Sequence, residues 1–205
     1  AHKSPKGAVI ILHGIGAHPN WNEVVYPLRT RLPGLGWHSL SIQMPVLPND
    51  AEYKQYASLF SEIAPRVNAA IKFLKTKKIK TIILVGHSLG ATMGAYFLAK
   101  NPSPEIKALV AIGGVGSNFN DNDRDIFASL KVIRLPFLDI FGSVDDENVV
   151  NSAVKKLAIA KQYGNPYFQQ IVVEGGDHFF IGKEDVLVKE VDNWLKHLPF
   201  ITENR

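Results

Sequence analysis

The chain has no cysteine among its 205 residues. That excludes disulfides, thiolate nucleophiles and cysteine-based metal sites, and it suits cytosol and periplasm equally. No uninterrupted apolar run approaches the roughly 20 residues that a membrane-spanning helix requires. A large surplus of one charge is also missing, since the net charge is only +4. The one dense basic stretch, Lys75, Lys77, Lys78 and Lys80, stands at the end of a predicted helix, where cations complement the macrodipole. No nucleic-acid-binding motif accompanies it, so nucleic acid is not an expected partner. There is no H-E-x-x-H and no helix-face pair of ligands, so neither a metal nor any other cofactor is expected. Repeats, low-complexity tracts and linkers are lacking too, and residues 1–205 read as one domain. The opening Ala1-His2-Lys3-Ser4-Pro5-Lys6 resembles a processed N-terminus.

What is present is a regular alternation of apolar runs and helical patterns. Strands are predicted near 7–13, 37–43, 79–85, 106–112, 136–141 and 167–173. The first, third and fourth are continuous apolar runs, as expected of strands covered on both faces. The second alternates from Ser39 onward and suits a sheet edge. Between them, Tyr56, Leu59, Phe60, Ile63, Val67, Ala70, Ile71 and Leu74 recur at helical spacing. Pro65 interrupts that series, so the helix either kinks or begins there. A last helix is predicted over 184–197, and a stretch with one short helix over 113–134. The pattern predicts an α/β fold with a mainly parallel six-stranded sheet and helices on both faces.

Four of the apolar runs break into glycine-containing polar loops. The first ends in His13-Gly14-Ile15-Gly16, the third in Gly86-His87-Ser88-Leu89-Gly90. The fifth ends in Gly142-Ser143-Val144-Asp145-Asp146 and the sixth in Glu174-Gly175-Gly176-Asp177-His178. A G-x-S-x-G between a strand and a helix makes a turn so tight that the residues two before and two after the serine must be small; the serine then projects alone. A free hydroxyl is a weak nucleophile and needs an adjacent base, itself oriented by a third group. Serine, acid and histidine follow in that order along the chain.

With these four loops at strand ends, the chain resembles the α/β-hydrolase superfamily over nearly its whole length, in a short version that begins at the His13-Gly14 strand. The runs H-G-I-G-A-H-P-N-W at 13–21, M-P-V-L-P-N at 44–49, L-D-I-F-G-S-V-D at 138–145 and G-G-D-H-F-F at 175–180 resemble a proteobacterial family of short α/β-hydrolases of unknown function, often exported. The resemblance implies an α/β-hydrolase fold with strand order 2-1-3-4-5-6 and no large lid. It also implies a periplasmic or envelope-associated setting, with no membrane span.

On this reading Ser88 is the nucleophile, its alternative being to cap the following helix. His178 is the general base, and Asp145 is the acid that orients it, with Asp146 kept open as the other choice; Asp146 otherwise caps the helix from about Glu147. The backbone N–H groups of Ile15 and Leu89 form the oxyanion hole. His13 braces its loop and His87 packs sideways. His18, Trp21, Met44 and Phe119 are candidates for contact with substrate, each with ordinary packing as its alternative. The H-G-I-G-A-H loop lacks the third glycine of a dinucleotide site. The expected activity is hydrolysis of short to medium acyl esters through an acyl-enzyme. Thioesters, lactones and amides use the same machinery, and a non-catalytic binding module of the envelope is the competing class. The expected partner is a small ester or acyl substrate, with peripheral envelope association the only membrane contact in view.

Overall fold

The computed structural model describes residues 6–48, 50–116 and 122–198. Strand β1 (Gly7–Leu12) leads to α1 (Val25–Arg31), a 3-10 turn (Leu32–Leu35) and β2 (Trp37–Ile42). A 3-10 helix (Tyr53–Glu62) runs directly into α2 (Ile63–Thr76), followed by β3 (Ile82–His87), α3 (Leu89–Lys100) and β4 (Ile106–Ile112). Then come a short 3-10 turn (Asn122–Arg124), α4 (Ile126–Leu130), β5 (Phe137–Gly142), α5 (Glu147–Gln162), β6 (Phe168–Val173) and α6 (Glu184–Lys196). The six strands form one sheet in the order β2-β1-β3-β4-β5-β6, every pairing parallel. This is the predicted topology, with no large lid among the described residues.

The two-residue side-chain period of a strand divides the core. Ala8, Ile10 and Leu12 of β1 join Ile82 and Leu84 of β3 against α2, α3 and α4. Val9 and Ile11 join Ile83 and Val85 on the other face against α1 and α6. Strands β1, β3 and β5 are buried at every position, as covered parallel strands must be. The edges, β2 and β6, are only partly buried.

Two predicted boundaries move. The third strand was expected from residue 79, but Lys78 adopts φ 62° and the Ile79 N–H still reaches back to the Leu74 carbonyl. Ile79 packs on the core from the loop, and the strand begins at Ile82 and continues through His87. Pro65 does not kink its helix. It is the third residue of α2, within the first turn, where N–H groups have no intrahelical acceptor and the missing one costs nothing. The apolar series upstream of it is carried by the 3-10 segment, which buries Tyr56 and Phe60.

Candidate active site

Ser88 is the only residue between β3 and α3, and its backbone is left-handed, φ 54° and ψ −122°. For a residue with a Cβ this conformation is costly and survives only when its surroundings enforce it. Three contacts do so. The Ser88 N–H donates to the Ile112 carbonyl at 2.8 Å, while its own carbonyl accepts from Ala91 and Thr92 at 3.0 and 3.3 Å. A Cβ on Gly86 would lie 2.4 Å from the Gly90 carbonyl oxygen, and a Cβ on Gly90 would lie 2.3 Å from that of Leu12. Both glycines are therefore required for space. The Ser88 side chain makes no capping hydrogen bond to α3, so its alternative role as a helix cap is not what the geometry shows.

The loop after β1 lies on this turn. A Cβ on Gly14 would stand 3.0 Å from the Ser88 Cβ. Ile15 follows, 39% exposed, and Gly16 turns the chain at φ 67°. Leu89, the first residue of α3, has an N–H with no intrahelical acceptor. His13 braces the loop as expected. Its Nδ1 donates to the Gly14 carbonyl at 2.8 Å, and its Nε2 accepts from the Met44 N–H at 3.0 Å and from the Gln43 amide at 2.9 Å. Burial holds the His13 pKa below its usual value against the help of that carbonyl, which suits a neutral ring with one donor and one acceptor nitrogen.

From the far side come the loops after β5 and β6. They touch backbone to backbone: a Cβ on Gly142 would sit 1.9 Å from the Gly176 carbonyl oxygen. Ser143 N–H donates to Val173, Val144 N–H to Gly176, and Gly175 N–H to the Ser143 hydroxyl at 2.8 Å. This lacing brings Asp145 to His178, with Oδ1 accepting from Nδ1 at 2.6 Å. The same oxygen accepts the Asp146 N–H at 2.7 Å. Oδ2 is buried and has no partner among the described residues; Gly113 covers it, for a Cβ there would lie 3.3 Å from Oδ2 and 3.1 Å from the His178 ring.

Between the two aspartates the geometry discriminates. The Asp145 side chain is fully buried, whereas that of Asp146 is 69% exposed and stands 3.9 Å from His178 Nδ1. Asp146 does occupy the position before α5, but its side chain makes no cap hydrogen bond; the main-chain carbonyl takes the Val149 and Val150 N–H groups instead. Asp177 turns away, accepting from the N–H groups of Phe179 and Ile181.

Burial pushes the His178 imidazole down, but the hydrogen bond and charge of Asp145, with Asp146 and Asp177 adding to them, outweigh it, and its pKa is raised above 6.5. His87 behaves oppositely. Burial and the neighbouring His178 push it to about 4. Its Nε2 donates to the His178 carbonyl at 2.9 Å, a contact that a sideways-packed residue was not expected to make. Asp145, Asp146 and His178 are also the one group among the described residues close enough to share a metal ion. With Nδ1 donating to Asp145, however, the lone pair a metal would need is already committed.

Of the residues proposed to touch substrate, His18 is exposed, accepts from the Asn20 N–H at 3.2 Å and meets Trp21 edge-on at 5.5 Å. Trp21 packs against the α1–α6 side of the core. Met44 takes the packing alternative: it is 1% exposed and lies in the core beneath the 3-10 helix and α2. Phe119 lies outside the described residues. A buried group that the sequence reading missed stands behind the site. Lys156 of α5 and Asp139 of β5 form a salt bridge at 2.7 Å with neither side chain exposed. Lys156 also donates to the Gly114 carbonyl at 3.0 Å, and Gln170 donates to Asp139 at 2.9 Å. Lysine at helical spacing on an otherwise mixed face gave no sign of this.

Solved structures share the fold. An esterase from Pyrococcus furiosus superposes with TM-score 0.75 at 19% identity, covering 94% of this chain and 83% of its own. A protein of unknown function from Agrobacterium tumefaciens, described as a candidate α/β-hydrolase, gives 0.69 at 25% identity, covering 95% and 86%. An α/β serine hydrolase homologue from Coxiella burnetii gives 0.68 at 20%, covering 93% and 85%. No curated protein matches the sequence. The model of one family, described as protein of unknown function (DUF3530), matches residues 1–65 and 48–197. The chain thus has the α/β-hydrolase fold and belongs to the DUF3530 family.

Proposed function

We propose that the protein is a serine hydrolase that cleaves carboxylic esters of short to medium acyl length. The observation that carries this is Ser88 on a left-handed turn at the β3–α3 junction, next to His87, which bonds the backbone of a histidine whose Nδ1 is held by a buried carboxylate. In this reading the Ser88 Oγ attacks the ester carbonyl carbon while His178 Nε2 takes its proton. The carbonyl electrons move to oxygen, which the N–H groups of Ile15 and Leu89 receive. Collapse of that intermediate expels the alcohol, protonated by His178, and leaves an acyl group on Ser88. Water, deprotonated by His178, then releases the acid. Asp145 keeps the proton on Nδ1 throughout and stabilises the imidazolium. The absence of a large lid among the described residues favours small substrates over buried lipid chains. We also propose, from the loop resemblance, that it works at the cell envelope; fractionation of a host that expresses it natively tests this.

The first experiment is labelling with a fluorophosphonate, followed by intact mass and peptide mapping. A single adduct on Ser88, lost in Ser88→Ala, is expected. A folded protein that takes up no probe would overturn the hydrolase reading in favour of a binding module.

A further inference from the structure

The residue before the serine has a task that neither the motif nor the proposed chemistry assigns. His87 ends β3, pairs with Ile112 of β4 and is 3% exposed. A merely space-filling residue there would be apolar, because a buried imidazole carries two polar nitrogens that must be satisfied. The partner it finds is specific: Nε2 lies 2.9 Å from the carbonyl of His178, 91 residues away. A carbonyl only accepts, so the proton resides on Nε2. The two rings lie 4.9 Å apart, tilted by 42°, and the Phe179 ring packs 5.9 Å from His87. On the other flank, a Cβ on Gly14 would stand 3.6 Å from His87 Nδ1. One buried ring thus lies between the β1 loop and the β6 loop.

We propose that His87 is a positioning residue: its hydrogen bond to the His178 backbone ties the β6 loop to the strand that carries Ser88 and fixes the imidazole relative to the serine. His178 is then held at two points, its Nδ1 by Asp145 and its carbonyl by His87, with Nε2 unbonded among the described residues. Without the second point the β6 loop is still laced to the β5 loop at Gly175 and Gly176, but no hydrogen bond ties the His178 backbone to the strand that carries Ser88. Misplacement of a catalytic group by about 1 Å is enough to cost about a hundredfold in rate. This assignment rests on the serine hydrolase reading for its consequence in rate, but not for its consequence in structure.

The test compares His87→Phe, which keeps ring volume without a donor, with His87→Gln, whose amide donates from a similar reach. Two readouts are taken at neutral pH: the second-order rate of fluorophosphonate labelling at Ser88, and the downfield proton resonance of the His178 Nδ1–H bonded to Asp145. The phenylalanine variant is expected to label about tenfold slower or worse and to lose or broaden that resonance, with glutamine recovering most of both. Wild-type labelling and an unchanged resonance in His87→Phe would overturn the proposal. If His87→Phe does not fold, His87→Asn takes its place, being polar but too short to reach the carbonyl; asparagine and glutamine behaving alike would overturn it equally. If the wild type takes up no probe yet the resonance is present and disappears in His87→Phe, the hydrolase reading fails while the positioning role stands.

Discussion

Asp145 and Asp146 are neighbours in sequence, yet only Asp145 buries its side chain and meets His178 Nδ1 at 2.6 Å, while Asp146 remains 3.9 Å away and open to water. Substituting each in turn therefore separates them. Asp145→Asn is expected to lower ester hydrolysis by about a thousandfold or more, since the wrong tautomer of the histidine is then favoured. Asp146→Asn is expected to stay within several-fold of wild type, as an exposed charge acts through water. Initial rates on a chromogenic butyrate ester measure both, and equal losses would contradict the assignment.

The acid limb of activity follows from the same pair. A histidine serves as base only when unprotonated, and the His178 pKa is raised above 6.5 by Asp145, Asp146 and Asp177 against the opposing effect of burial. Activity is expected to fall as pH drops through that raised value, with the midpoint above 6.5. Removing the Asp146 charge should move the midpoint down. A limb below 6.5 in the wild type would contradict this, read from a pH–rate profile at constant ionic strength.

The pKa of His87 is shifted in the opposite direction, and it bears on stability. Its pKa is near 4 when folded, chiefly through burial, and about 6.5 when unfolded. Between those values the unfolded chain binds a proton that the folded chain refuses, so stability is full above 6.5 and is lost as pH falls towards 4. The contribution is up to about 3 kcal/mol. His13, also lowered, acts in the same sense, and His178 opposes them. Urea unfolding at pH 7 and pH 4.5 is expected to show a smaller pH-dependent loss for His87→Gln than for the wild type.

The strained turn makes a further claim. A left-handed φ at a residue with a Cβ costs on the order of 1–3 kcal/mol, and Ser88 is in that region at φ 54°. Ser88→Gly is expected to be about 1 kcal/mol more stable than Ser88→Ala, although both remove the hydroxyl. Equal unfolding midpoints would mean the turn stores no strain.

Behind the site, Lys156→Met strands the Asp139 carboxylate in the core, with only Gln170 left to bond it. Breaking one side of a buried pair costs about 3–5 kcal/mol. The double variant Lys156→Met/Asp139→Leu is expected to recover most of that loss, because no uncompensated charge remains. Chemical denaturation of the three variants decides the point.

Much of this was legible in the chain because the fold repeats one local rule. Four apolar runs ending in glycine-bearing loops marked the strand ends, and the spacing around Ser88 required the tight turn. That an acid after the fifth strand would meet His178 was readable from their places, whereas the choice of Asp145 over Asp146 needed the side-chain geometry. What escaped were relationships that no local pattern encodes. His87 bonds a carbonyl 91 positions away, and a main-chain acceptor has no sequence signature. Lys156 looked like any helix lysine, since its burial depends on Asp139, Gln170 and Gly114 meeting across three elements. The 3-10 segment before α2 carries apolar residues at steps that an α-helix also satisfies, so its first turns were indistinguishable from the helix proper.

In the finished sheet β3 is separated from β6 by β4 and β5, and β6 is the last of the six in chain order. A chain that ends at α3 has Ser88 but lacks the Ile112 carbonyl that holds its N–H, as well as Asp145 and His178, and a chain halted before α5 has no loop for the acid to lock. Long-range parallel pairing of this kind is slow to complete. The site is therefore complete only once β6 has joined the sheet, and chains truncated before it carry the serine without its partners. A serine made early in the chain thus waits for a histidine that arrives three strands later.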